Sequence, residues 1–90
     1  MFQDLKAAID WYQKAADQGF APAQGNLGLM YAQGRGVAPD LMEAYMWFSL
    51  AADTKDATIL EHHKAIETDM APEQIARARA QTKAWRESHK

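Results

Sequence analysis

His62, His63 and Glu67 are the side chains whose types and spacing come nearest to a chemical site. His63 and Glu67 stand four apart, so on a helix they share a face and could hold a metal together. The order is not His-Glu-x-x-His, and no third ligand lies nearby. Glu61 and His62 point elsewhere on the same helix. Metal sites use three or four ligands, so the spacing favours one partly buried and one surface histidine over a metal centre. A metal-binding or hydrolytic protein built on His62, His63 and Glu67 stays as the lesser alternative. The serines offer less. Ser49 is followed three residues later by Ala52, so there is no Ser-x-x-Lys motif. Ser88 precedes His89 and Lys90 at a chain end expected to fray, where a nucleophile has no rigid support from a base. No catalysis and no cofactor are expected.

Two further patterns invite chemistry and fail on context. Gly34-x-Gly36 resembles the start of a phosphate loop, but no strand precedes it and no Lys-Ser/Thr follows. It reads as a structural turn. Arg79, Lys83, Arg86 and Lys90 fall near i, i+4, i+7 and i+11 and could touch phosphates or an acidic partner. A solvated face accounts for them more simply, since cations are favoured in the C-terminal half of a helix. No aromatic residue interleaves for base stacking except Trp85, which belongs to an apolar stripe.

The elements that carry these residues are helical. The chain has 90 residues, 48% hydrophobic and 24% charged, which suits one small folded domain. Val occurs once and β-branched residues are scarce, so a sheet has little to build with. The absence of Cys excludes disulfides, thiolate zinc sites and Cys nucleophiles. The net charge of −2 gives no general pull toward nucleic acid, although residues 72–90 carry a local excess of basic groups. No basic stretch followed by an apolar run opens the chain, and no window suits a membrane span. A cytoplasmic location is therefore favoured, with a periplasmic one open if an upstream leader was removed.

An internal repeat organises the chain. Asp4-Leu5-x-x-Ala8-x-x-Trp11-Tyr12-x-x-Ala15-Ala16-Asp17 recurs, 36 residues on, as Asp40-Leu41-x-x-Ala44-x-x-Trp47-Phe48-x-x-Ala51-Ala52-Asp53. Eight of the eighteen positions in 4–21 match their partners in 40–57, too many for chance. Each copy has helical periodicity with one apolar stripe. Asp4 and Asp40 sit where an N-cap belongs. The Ala-Ala pairs let a neighbouring helix come close. Trp11 and Trp47 hold equivalent places, which points to packing between helices rather than to interface anchors. Between the copies a helix over about 21–33 turns Ala23, Leu27, Met30 and Tyr31 inward. Gly28 interrupts it at a cost of about 1 kcal/mol relative to Ala, which implies close contact with another backbone. Gly34 and Gly36 permit left-handed φ, Val37 plugs the turn, and Pro39 keeps the helix from running on. A fourth helix over 56–69 lines one side with Ile59, Leu60, His63 and Ile66. A fifth, over 72–87, opens at Pro72 and carries Ile75, Ala78, Thr82 and Trp85 inward. Its charged far side fits a terminal cap.

Three stretches carry a family resemblance. They are Trp11-Tyr12-x-Lys14-Ala15-Ala16-x-Gln18-Gly19-x-Ala21-x-Ala23-Gln24, Asn26-Leu27-Gly28-x-Met30-Tyr31-x-x-Gly34-x-Gly36-Val37, and Asp40-x-x-x-Ala44-x-x-Trp47. They resemble the Sel1-like repeat family, relatives of the tetratricopeptide repeats, over about residues 4–57. Met70-x-Pro72-Glu73-Gln74-Ile75-Ala76 is similar to the C-terminal helix that closes many bacterial members. The resemblance implies an all-α superhelix, a tetratricopeptide-like solenoid of about five antiparallel helices, with a concave binding surface. On that pattern 1–90 is a single domain. Residues 4–19 are the second helix of a partial repeat, 21–53 a helix-turn-helix repeat, 56–69 a degenerate first helix and 72–87 the cap. The helix before residue 4 in such a repeat is missing. Where Leu27, Gly28 and Tyr31 stand, the fourth helix has His63, Lys64 and Glu67, and Ala71 replaces a Ser or Thr cap.

The resemblance also implies a scaffold or adaptor role with protein partners, while the charge and the lack of an apolar span call for neither nucleic acid nor membrane. The alternative is a structural piece that caps a longer array. In tetratricopeptide-like solenoids the first helix of each repeat lines the concave side. Pro22, Asn26 and Gln33 lie roughly 100–140° from the inward Leu27 at about 100° per residue, and the repeat maps them onto Thr58, His62 and Asp69. Asn26, Gln33 and His62 are therefore the expected protein-binding residues. Phe2, Ile9 and Trp11, on the face a preceding helix would cover, are candidates for self-association.

Overall fold

A computed structural model describes residues 5–52 and 57–89. Asp4, Phe2 and Lys90, each given a role above, lie outside the described residues. Five α-helices follow one another: α1 Leu5–Asp17, α2 Ala21–Gln33, α3 Leu41–Ala51, α4 Ala57–Glu67 and α5 Pro72–Ser88. No strand occurs among the described residues. Neighbours in sequence pack as α1 on α2, α2 on α3 and α3 on α4. Skipped pairs, α3 with α5 and α2 with α4, pack as well. This is the arrangement of an all-α helical repeat.

Local chemistry sets the helix ends. After α1, the Gly19 amide donates to the Ala16 carbonyl and the Phe20 amide to the Ala15 carbonyl. Gly19 has φ of +88°, so the left-handed residue that closes this motif carries no Cβ. After α2, Gly34 takes φ of +67° and the Arg35 amide donates to the Met30 carbonyl. Pro39 packs directly on Gly34, where a Cβ would come within 2.6 Å of its ring. Asp40 caps α3, its carboxylate accepting from the amides of Met42 and Glu43 at 3.0 and 3.1 Å. Ala71 has no side-chain acceptor for α5, but Gln74 reaches back to accept the Ala71 amide at 2.9 Å.

α3 is the centre of the molecule. Ala44, Tyr45, Trp47, Phe48 and Ala51 are all essentially buried, so three neighbours cover it all round. Gly28 brings α2 onto α3, with the Phe48 ring and the Ala44 carbonyl filling the space a side chain would need. Gln24, 3% exposed, donates to the Ala16 carbonyl at 3.1 Å and so ties α2 to the end of α1 without leaving a buried amide unpaired. Ala78 and Thr82 seat α5, and the Thr82 hydroxyl is satisfied by the Ala78 carbonyl.

Three expectations about individual side chains need correction. Trp11 does not pack between helices as Trp47 does. It is 61% exposed against 2% for Trp47. Trp85 of α5 covers Trp47 in an edge-to-face contact at 5.9 Å, and no described helix does this for Trp11. Ile9 is buried in the core with Leu27, Met46 and Leu50, so it is not available for self-association. Leu60 is exposed, because the inner side of α4 runs through Ile59, His62, His63 and Ile66, with Leu60 beyond its edge.

Candidate functional site

The helical repeat of 3.6 residues places three sets of polar side chains toward one groove. α3 contributes Tyr45 and Ser49, four apart. α4 contributes His63 and Glu67, also four apart. α5 contributes Arg79, Lys83 and Arg86. Together they line a groove of about 490 Å³. α4 and α5 both pack on α3, so α3 forms the floor and the other two form the walls.

The groups in it are joined by hydrogen bonds. Ser49 Oγ and His63 Nε2 lie 2.9 Å apart. The Tyr45 hydroxyl donates to Glu67 Oε1 at 2.8 Å and accepts from Arg79 Nε at 3.3 Å. The His63 ring rests against the Tyr45 ring at 4.3 Å between centroids. An Arg86 Nη donates to the Ser49 carbonyl at 3.4 Å. Burial holds the His63 pKa below its ordinary 6.5, with the Arg79 charge acting the same way against the pull of Glu67. Burial likewise raises the Tyr45 phenol above 10.0. His63 is thus neutral at pH 7, with one ring nitrogen facing the Ser49 hydroxyl.

A hydroxyl beside a neutral imidazole is half of a nucleophile–base pair. The other parts do not assemble. Glu67 bonds to Tyr45 instead of orienting His63. Ser49 sits inside α3, where backbone amides are engaged in the helix and cannot form an oxyanion hole. His62 does not join His63 and Glu67. Its ring stacks over Phe48 at 5.9 Å, within 16° of parallel, away from the Ser49–His63 contact. No group of three or more metal-ligating side chains occurs among the described residues. The network is suited to holding α3, α4 and α5 in register and to presenting cations at its rim.

The expected binding residues sit elsewhere. Asn26 and Gln33 are exposed on α2, and His62 is half-buried on α4. The α2–α4 contact passes through Gly25, which faces the tip of Ile59. Sequence reasoning found the His63–Glu67 pair and the basic stripe but did not join them. It weighed Ser49 only for a Ser-x-x-Lys motif and did not single out Tyr45. One signal was present: Ser49 follows Tyr45 by four in a helix, LMEAYMWFSLA, that is otherwise almost wholly apolar.

No described helix is long and apolar enough to cross a membrane. The model of the Sel1 repeat matches residues 1–20 and 21–54. The DAP3-binding cell death enhancer 1 of Rattus norvegicus is 47% identical over 43 residues, 48% of this chain. The protein of the same name from Mus musculus is 49% identical over 41 residues, 46% of this chain. In both cases the match covers 8% of the relative's own length. Sel1 repeats are generally modules for protein–protein interaction and are typically not catalytic. With two repeat matches across more than half of its residues and the helical-repeat packing described above, the chain belongs to the Sel1 repeat family.

Proposed function

We propose that this chain is a non-catalytic scaffold module that binds a protein partner across the side of α2 and α4 bearing Asn26, Gln33 and His62. The observation that carries this reading is the state of the α2 amides. Gln24, two residues before Asn26, is buried and bonded within the fold. Asn26 and Gln33 are exposed, seven apart on one side of α2, and their side chains make no hydrogen bond to the described residues. Their donors and acceptors are available to a partner, and α4 lies alongside through the Gly25–Ile59 contact. The DAP3-binding relatives support a protein partner as the class, over the stretch they share with this chain.

The test is affinity capture from the source lysate with the parent chain and with an Asn26→Arg, Gln33→Arg double variant. Both positions are exposed, so circular dichroism is expected to be unchanged. A partner held by the parent and lost by the variant is the expected result. Equal capture by both would refute the assigned surface.

A second reading is self-association through α1 and the turn that follows it, which rests on Trp11 at 61% and Phe20 at 52% exposure. Light scattering after gel filtration checks it. A monomer at high concentration, unaltered by Trp11→Ser, would reject it.

A further inference from the structure

We propose that the groove between α4 and α5 is a separate docking site for a short acidic peptide segment of a partner protein, one carboxylate of which sits between Arg79 and Lys83. The surface differs from that of Asn26 and Gln33, so the two readings stand or fall independently.

The argument begins with which cations are engaged. Arg79 donates through Nε to the Tyr45 hydroxyl, and its two terminal nitrogens make no hydrogen bond among the described residues. The bond fixes the guanidinium plane while its outer edge, the edge that grips a carboxylate bidentately, stays open. Lys83, four residues on, has no ion pair or hydrogen bond among the described residues. Arg86 is anchored to the Ser49 carbonyl and adds its charge to the same wall. Arg79, tethered through Nε before binding, loses less freedom on binding, and Lys83 supplies a second charge one helical turn away.

The charge balance selects the kind of anion. Arg79, Lys83 and Arg86 face Glu67 and Glu87 along the groove, an excess of one positive charge. Glu67 is in part compensated, since it accepts the Tyr45 hydroxyl. Nucleic-acid affinity needs many phosphates neutralised together, and one surplus charge does not supply that. Tyr45 is buried to 2% exposure and cannot stack on a base. One carboxylate on an extended peptide matches that single surplus charge, and the groove volume of about 490 Å³ lies within the usual range for bound ligands.

The experiment is fluorescence anisotropy of a labelled hexaglutamate peptide on the full chain. It is run at low ionic strength and again near physiological salt, where exposed charge pairs are screened. Lys83→Glu is expected to weaken binding about tenfold or more by reversing a contacting charge. Arg77→Glu makes the same change in net charge on the side of α5 away from the groove and is expected to change affinity by less than about twofold. Amide shifts on titration are expected at Ser49, His63 and Lys83. Equal losses in the two variants, no binding by the parent, or shifts confined to α2 would overturn the proposal. So would a hexathymidine strand that binds as tightly as the peptide, which would favour nucleic acid.

Discussion

Gly28 and Phe48 meet where α2 crosses α3, so closely that a Cβ on Gly28 would lie 2.8 Å from two carbons of the Phe48 ring. Phe48 is fully buried and the Ala44 carbonyl stands 3.3 Å from the same point, so neither can retreat. Gly28→Ala gains about 1 kcal/mol of helix propensity. Overpacking of this kind costs about 1–3 kcal/mol, and with a rigid ring and backbone as neighbours the upper end applies. The variant is expected to unfold at lower urea. Gly25→Ala is the contrast. Its Cβ would meet the flexible tip of Ile59 at 2.5 Å, and a rotamer change relieves that. Its unfolding free energy is expected to stay within about 1 kcal/mol of the parent.

The two tryptophans of the repeat are expected to differ in energetic weight. Trp47 is 2% exposed, touches Trp85 and donates its indole N–H to Glu43 Oε2 at 3.2 Å. Trp47→Ala is expected to cost about 3–5 kcal/mol. Trp11→Ala removes a side chain that is 61% exposed, and its cost should stay below about 1 kcal/mol. Urea unfolding of the two variants, each against the parent, measures both. Equal losses would mean that Trp11 is covered in solution.

Stability should fall on mild acidification. The unfolded chain takes up a proton at His63 near pH 6.5, whereas the folded chain resists because burial disfavours the charged ring. Between the folded value and 6.5 the unfolded state binds more protons, so stability rises with pH across that window and is lost as pH drops through it. The urea midpoint is expected to decrease from pH 7.5 to pH 5.5. His63→Gln keeps a hydrogen-bonding partner for Ser49 and should flatten the dependence. An unchanged slope in that variant would place the effect on another group.

Tyr45 is expected to matter through its oxygen as well as its ring. The hydroxyl joins Glu67 to Arg79, so Tyr45→Phe leaves a carboxylate and a guanidinium without their shared partner. A hydrogen bond to a carboxylate contributes about 1.5–3 kcal/mol, and the half-buried state of Glu67 argues for the lower end. A denaturation series on the variant checks this. An unaltered midpoint would show that water replaces the hydroxyl without loss.

The repeat, the five helices and most of their ends were legible in the residues, because these depend on chemistry within a few positions. An aspartate before an apolar stripe caps a helix whatever packs on it, as Asp40 does. A glycine at left-handed φ ends a helix by its own conformational freedom, as Gly34 does. The inner face of α5 likewise follows from its own spacing, with Ala78 and Thr82 buried. The tertiary structure alone decided which equivalent residues are covered and which polar groups meet. Trp11 and Trp47 share a place in the repeat, but burial belongs to the neighbours a residue finds, and only Trp47 has Trp85 over it. Ser49, His63 and Arg79 come from three helices, and each alone reads as an ordinary polar position. Their convergence beside Tyr45 depends on how α4 and α5 seat on α3, and no periodicity within one helix encodes the rotation of another.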